Sequence, residues 1–154
     1  MEIIFAVAAV LIYLYFLKRN LFNTSKKIGD VGENRVKLEL SKLDSEYQIR
    51  NDVHLNGSQI DHMVFYNSTI FVIETKFWKC PIIGSYNSKN WTTAGRQMYN
   101  PVLQNKRHCS NVKKAYSLFN IVSVVVFAGG HNFPHYKNVI HVSELVKFIK
   151  EGSF

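Results

Sequence analysis

FVIETKFW, residues 71–78, sets a carboxylate and an amine into a run that otherwise reads as a buried strand. Ile70, Phe71, Val72 and Ile73 are apolar and β-favouring without interruption. Glu74 and Lys76 then arrive two residues apart, and side chains two apart on a strand point to the same face. Taken alone, E-x-K on a strand is commonly a surface ion pair. The apolar residues before it argue instead for a central strand, where a charged pair needs a reason.

The neighbouring segments supply one. Residues 47–55 (YQIRNDVHL), 58–66 (SQIDHMVFY) and 68–77 (STIFVIETKF) read as three strands. Asn56-Gly57 and Asn67-Ser68 are turn chemistry, so the three form an antiparallel meander. Asp61 interrupts the second strand as Glu74 interrupts the third, and the pairing brings the two carboxylates close along the sheet. Like charges near an apolar core repel unless a cation lies between them. Hard oxygen ligands select Mg²⁺ or Mn²⁺, and Mg²⁺ is usually held by one or two carboxylates with water and phosphate oxygens completing its shell. Lys76 beside them is placed to orient a water or to stabilise charge on a phosphate. The parts suggest metal-assisted hydrolysis of a phosphodiester.

Outward from the meander, residues 30–43 carry Val36, Leu40 and Leu43 at helical spacing, with Glu33 on the same stripe. First-turn placement favoured by the helix dipole is one account of that acid. Residues 78–95 read as a long loop bearing Trp78 and Trp91, placed either to stack on bases or to pack. Pro101 opens a helix to about residue 119 that Lys106, Arg107, Lys113 and Lys114 make basic. Such a face either contacts phosphates without reading sequence or is simply solvated. Residues 121–127 (IVSVVVF) form a buried strand and 138–142 a shorter one. Ser143 caps a last helix that Gly152 ends. The order α-β-β-β-α-β-β-α predicts an α/β fold with one mixed sheet and helices on its faces.

The 154 residues suffice for one domain with a core, and 47% hydrophobic with 14% aromatic content excludes a disordered chain. Net charge is +8, with 19 Lys and Arg against 11 Asp and Glu, which suits nucleic acid or an acidic membrane surface equally. Cys80 and Cys109 lack zinc-site spacing and read as ordinary thiols. Residues 3–17 (IIFAVAAVLIYLYFL) hold no charge and as a helix span about 22 Å, a little short of a bilayer's hydrocarbon core. Tyr13, Tyr15, Lys18 and Arg19 make up part of the difference. No basic n-region precedes the run, which disfavours a cleaved signal peptide; a buried helix is the other alternative. Lys18, Arg19, Lys26 and Lys27 follow it, so the positive-inside rule places the remainder in the cytoplasm. The expected layout is a transmembrane anchor over 1–19, a juxtamembrane linker over 20–27 and a domain over 28–154.

The stretches GDVGENRV (29–36), QIDH (59–62), FVIETK (71–76), GSYNSKNW (84–91) and NPVLQN (100–105) together resemble the nuclease-related domain (NERD) family, a branch of the PD-(D/E)xK nucleases. The resemblance implies a restriction-endonuclease-like mixed sheet flanked by helices. It implies a site in which Glu33 is the helical acid, Asp61 and Glu74 bind the metal with Glu33, and Lys76 orients the water. Gln104 would give polar support to the site or the scissile phosphate. His62, on the face opposite Asp61, reads as structural. The implied function is membrane-anchored, divalent-metal-dependent phosphodiester hydrolysis, with DNA the expected substrate and no small-molecule cofactor. A non-cleaving nucleic-acid-binding module and a membrane scaffold of the same fold stay open. A metal-free buried acidic cluster counts against the scaffold.

Overall fold

The computed structural model describes the backbone of residues 2–152 and the side chains of 10–19 and 27–152. Helix α1, Glu2–Leu40, runs 39 residues without a break. Residues 20–27, expected as a juxtamembrane linker, are helical and continue α1. No Gly or Pro occurs before Gly29 to interrupt the helix, and Asn, Ser, Thr and Lys weaken a helix too little to end it. The anchor expected over 1–19 falls in good part outside the described side chains. Among the described residues, no helix is long and apolar enough to cross a membrane.

The expected meander forms from β1 (Gln48–Leu55), β2 (Ser58–Tyr66) and β3 (Thr69–Lys76), paired antiparallel. Asn56 and Gly57 have φ of 48° and 74°, the left-handed pair that a two-residue hairpin turn requires. Strand β7 (Asn120–Phe127) pairs parallel with β3 along its whole length, from Thr69↔Asn120 to Lys76↔Phe127. Strand β8 (Val139–His141) extends the sheet in parallel, giving the order β1-β2-β3-β7-β8. The sheet is mixed and β3 lies at its centre, as its apolar run requires.

The crossover from β3 to β7 differs from expectation. Residues 78–95 do not form a plain loop, because β4 (Ile82–Ile83), β5 (Asn90–Thr93) and β6 (Arg96–Tyr99) make a small antiparallel sheet that extends through residue 99. Helix α2 (Pro101–Ala115) follows and covers one face of the main sheet. It stops short of 119, where Lys113 Nζ donates to the carbonyls of Ser117 and Phe119 at 2.8 Å each. A single 3₁₀ turn (Val142–Glu144) leads into α3 (Leu145–Glu151), ended by Gly152 in the left-handed region. The turn is capped by His141 in a capping box with Glu144, and not by Ser143.

Two apolar layers hold the helices. Val36 and Leu40 of α1 and Leu145 and Ile149 of α3 meet Phe71, Ile73, Val124 and Val126 on one face. Val112 of α2 meets Met63, Ile70 and Val72 on the other. Leu40 is fully buried, and burial of such a side chain contributes about 2 kcal/mol. Two asparagines fix α2. Buried Asn100 is its N-cap, accepting from Val102 N at 2.9 Å while its amide donates to the carbonyls of Tyr86 (3.0 Å) and Ser88 (2.7 Å). Buried Asn105 donates to the carbonyls of Val72 (2.8 Å) and Val124 (3.0 Å), pinning the helix over β3 and β7. Below Asn100, Trp91 is fully buried, and a Cβ on Gly84 would lie 2.2 Å from its ring. Trp91 therefore packs, and of the two tryptophans only half-buried Trp78 keeps an accessible surface.

Candidate active site

Strand β3 brings Glu74 and Lys76 onto one face, and α2 closes over them. Glu74 is 3% exposed. Lys76 Nζ donates to Glu74 Oε1 at 2.5 Å and to Gln104 Oε1 at 3.2 Å, so the ammonium is shared between strand and helix. Burial pushes the Glu74 carboxyl up to about 7 against the pull of Lys76, and the negative charges of Asp61 and Glu33 push it in the same direction.

Asp61 reaches this point because the sheet opens there. Pairing of β2 with β3 ends at His62↔Ile73, and Asp52↔Asp61 is missing from the β1–β2 ladder, where Asp52 has φ of 52°. Asp61 Oδ2 accepts from the backbone N–H of Thr75 at 2.7 Å, beyond the end of that ladder. Burial raises the Asp61 carboxyl, partly offset by the Thr75 hydrogen bond and then by the Lys76 and His108 charges. His62 lies on the other side of the strand, fully buried, its Nδ1 2.7 Å from Asn51 Oδ1. Burial lowers it to about 4, so it is neutral and structural, as expected from its face.

Helix α1 contributes Glu33, half-buried, whose carboxyl is raised first by burial and then by Asp61. Its seat depends on the residue before it. A Cβ on Gly32 would lie 2.8 Å from Phe77 Cβ, so only glycine lets the helix approach the end of β3 this closely. Nothing lies within 4 Å of the equivalent point on Gly29. Gly32→Ala is accordingly expected to push α1 away from Phe77, displace Glu33 and lower the melting temperature, whereas Gly29→Ala leaves it unchanged. Melting curves of the two variants check this; equal midpoints would detach Glu33's position from the glycine.

The structure thus gathers Glu33, Asp61, Glu74, Lys76 and Gln104, all five expected from the sequence, into one electrostatically coupled cluster. It adds His108. One helical turn after Gln104, His108 is 9% exposed with Nε2 3.5 Å from Glu74 Oε2, and its buried Nδ1 has no hydrogen-bond partner. The four-residue spacing from Gln104 was the available signal, since it puts both side chains on one helix face.

The four basic residues of α2 lie in different surroundings. Arg107 borders a polar cleft of about 380 Å³ beside Gln104 and His108, facing the β1–β2 turn. Lys106 lies over the Tyr86 ring at 4.6 Å, outside that cleft. Lys113 is held by the carbonyls that end the helix, and exposed Lys114 lies beside it, two turns beyond Arg107.

Among the described residues, no three His, Cys, Asp or Glu side chains converge closely enough to enclose an ion. Mg²⁺ needs fewer, since one or two carboxylates with water and phosphate oxygens suffice. Asp61 and Glu74 provide that hard-oxygen pair. Burial raises all three carboxyls, and the Asp61 charge raises both Glu33 and Glu74 further, a condition that a cation relieves. The donor chemistry fits a divalent cation.

The family model described as nuclease-related domain matches residues 28–128. An uncharacterized protein of Bacillus anthracis is 34% identical over 95 residues, covering 55% of this chain and 45% of that relative. The chain thus matches less than half the length of that curated relative. No solved structure matches the chain.

Proposed function

Since the chain belongs to the nuclease-related domain family, we propose that it is a divalent-metal-dependent nuclease that hydrolyses phosphodiester bonds, with DNA its expected substrate. The observation that carries this reading is the Lys76 ammonium, shared by Glu74 and Gln104 beside Asp61. A surface ion pair would not be buried on a central strand and tied to a second element.

Asp61 and Glu74, with Glu33 nearby, are the residues to hold Mg²⁺ or Mn²⁺. Bound there, the ion supplies Lewis-acid stabilisation of the charge that builds on the phosphate. Lys76 presents its one remaining N–H to the attacking water or to a non-bridging oxygen, and Gln104 fixes its direction. His108 steadies the far oxygen of Glu74. Water adds to phosphorus as the bond to the leaving alkoxide breaks, and Arg107 at the neighbouring cleft receives the adjoining phosphate.

The apolar helix before the domain belongs to the same proposal. From Val10 (56% exposed) to Leu17 (39%), every described side chain is apolar and uncovered. We read this segment as seating in a bilayer through residues 1–19, with the basic residues after it holding the domain on the cytoplasmic side.

The test incubates the full chain in non-ionic detergent with linear, circular and single-stranded DNA and with RNA, each in Mg²⁺, Mn²⁺ or EDTA. Cleavage is expected to need metal and to fall at least a thousandfold in Asp61→Ala and in Glu74→Ala. A second reading, a module that binds nucleic acid without cutting it, is favoured by the lack of three convergent metal donors among the described residues. Binding without cleavage by the folded protein in every metal would select it.

A further inference from the structure

A second groove opens where β3 leaves the sheet. It measures about 480 Å³ and is walled by Ile28, Phe77, Trp78 and Met98, with Lys79 and Arg96 on its rim. Among the described residues, no carboxylate lines it. Phe77 packs against Gly32 beside Glu33, so the groove lies on the α1 side of the cluster, although none of the five cluster residues lines it. The Trp78 indole leans on Phe127 at 5.7 Å and 59° and stays half-buried, which leaves part of the ring accessible. The Lys79 ammonium and Arg35 guanidinium lie 5.6 and 5.0 Å from the Phe77 ring.

We propose that this groove is a stacking subsite for an unpaired nucleotide, so that the substrate is a single strand or a frayed end; the inference rests on the nuclease reading and adds the strand state. An aromatic and aliphatic wall with a cationic rim matches a base, which has an apolar π-face and an anionic phosphate on either side. A base inside a duplex is already stacked on both faces and cannot enter. An acidic lipid also combines apolar and anionic parts, but the groove adjoins Gly32 and Glu33 of the cluster, which favours a nucleotide flanking the reacting phosphate.

Trp91 is fully buried, so Trp78 is the tryptophan that reports on the groove by fluorescence. The full chain in non-ionic detergent and EDTA is titrated with a twelve-nucleotide oligo(dT), a blunt duplex of the same length, heparin and phosphatidylglycerol vesicles. Oligo(dT) is expected to quench the emission and the other three to leave it unchanged. Trp78→Ala is expected to weaken oligo(dT) binding about tenfold, and Trp78→Phe by much less. Lys79→Ser with Arg96→Ser, both at exposed positions, should reduce the salt slope of binding by about one. If Trp78→Ala does not fold, the quenching titration and the double variant decide. Quenching by heparin or by duplex as strong as by oligo(dT) overturns the inference, as does displacement of oligo(dT) by vesicles. Selective quenching by oligo(dT) without cleavage in Mg²⁺ would sustain the subsite and remove the nuclease.

Discussion

Glu74→Gln is expected to abolish cleavage and, at pH 8, to make the protein more stable. Glu74 sits 3% exposed in the sheet centre, and its carboxyl is raised from 4.5 to about 7, chiefly by burial. A group raised in the folded state binds its proton there at a pH where the unfolded chain has released it. Its favourable contribution is fully present below pH 4.5 and is lost as the pH rises through 7. Above pH 7 the wild-type fold therefore carries a buried carboxylate that it would hold better as the acid, a difference on the order of 3 kcal/mol. Glutamine mimics the neutral form and still accepts from Lys76. The stability gain should be full at pH 8 and absent at pH 4, read by urea unfolding at both. Adding Mg²⁺ at pH 8 should raise the wild-type melting temperature and not that of the variant, because the ion binds only the charged site. A less stable Glu74→Gln at pH 8 would mean that the ion pair with Lys76 outweighs desolvation.

Asn105→Ala should have a large effect of the opposite sign, a loss on the order of 3 kcal/mol together with most of the activity. Asn105 is fully buried, and its amide reaches carbonyls of two different strands. Truncation leaves those acceptors without their partner and opens a void under α2. The helix carries Gln104 and His108, so a shift there moves the support of both Lys76 and Glu74. Asn105→Asp distinguishes the causes, since it nearly conserves volume and removes the donors. Denaturant midpoints for Ala and Asp alike should fall; an unchanged midpoint in Asn105→Asp would reduce the residue to a space-filler.

What was legible in the sequence follows from how much of the signal was local. Asn-Gly between alternating strands and an apolar run ending in E-x-K each state their geometry within ten residues, and the meander and central strand formed as read. The small sheet was not legible, because β4 has two residues and β6 is exposed throughout, leaving no alternation to detect. The helix through residues 20–27 was hidden by its polarity, which resembles a linker although nothing in it breaks a helix. His108 was obscured by Lys106 and Arg107, whose charges made the segment look like one basic face. Only the fold shows that His108 faces Glu74 while Lys106 lies over Tyr86. Gly84 explains why Trp91 could not have been sorted from Trp78 beforehand: burial of an indole depends on a partner without a side chain, several residues away.

The parallel pairing of β3 with β7 has a consequence for synthesis. The meander closes through short turns and is complete once Lys76 has left the ribosome, whereas β7 starts only at Asn120. Until then β3 is an edge strand, and α2 has the meander but not β7 to lie on. Closing that long connection is expected to be the slow step, since chain entropy is lost before the non-local contacts form. Asn105 can then hold only Val72 and not Val124, so the helix that carries Gln104 is pinned at one point instead of two. The cluster is thus expected to reach its final geometry only after β7 zips into place beside β3, late in synthesis of the chain.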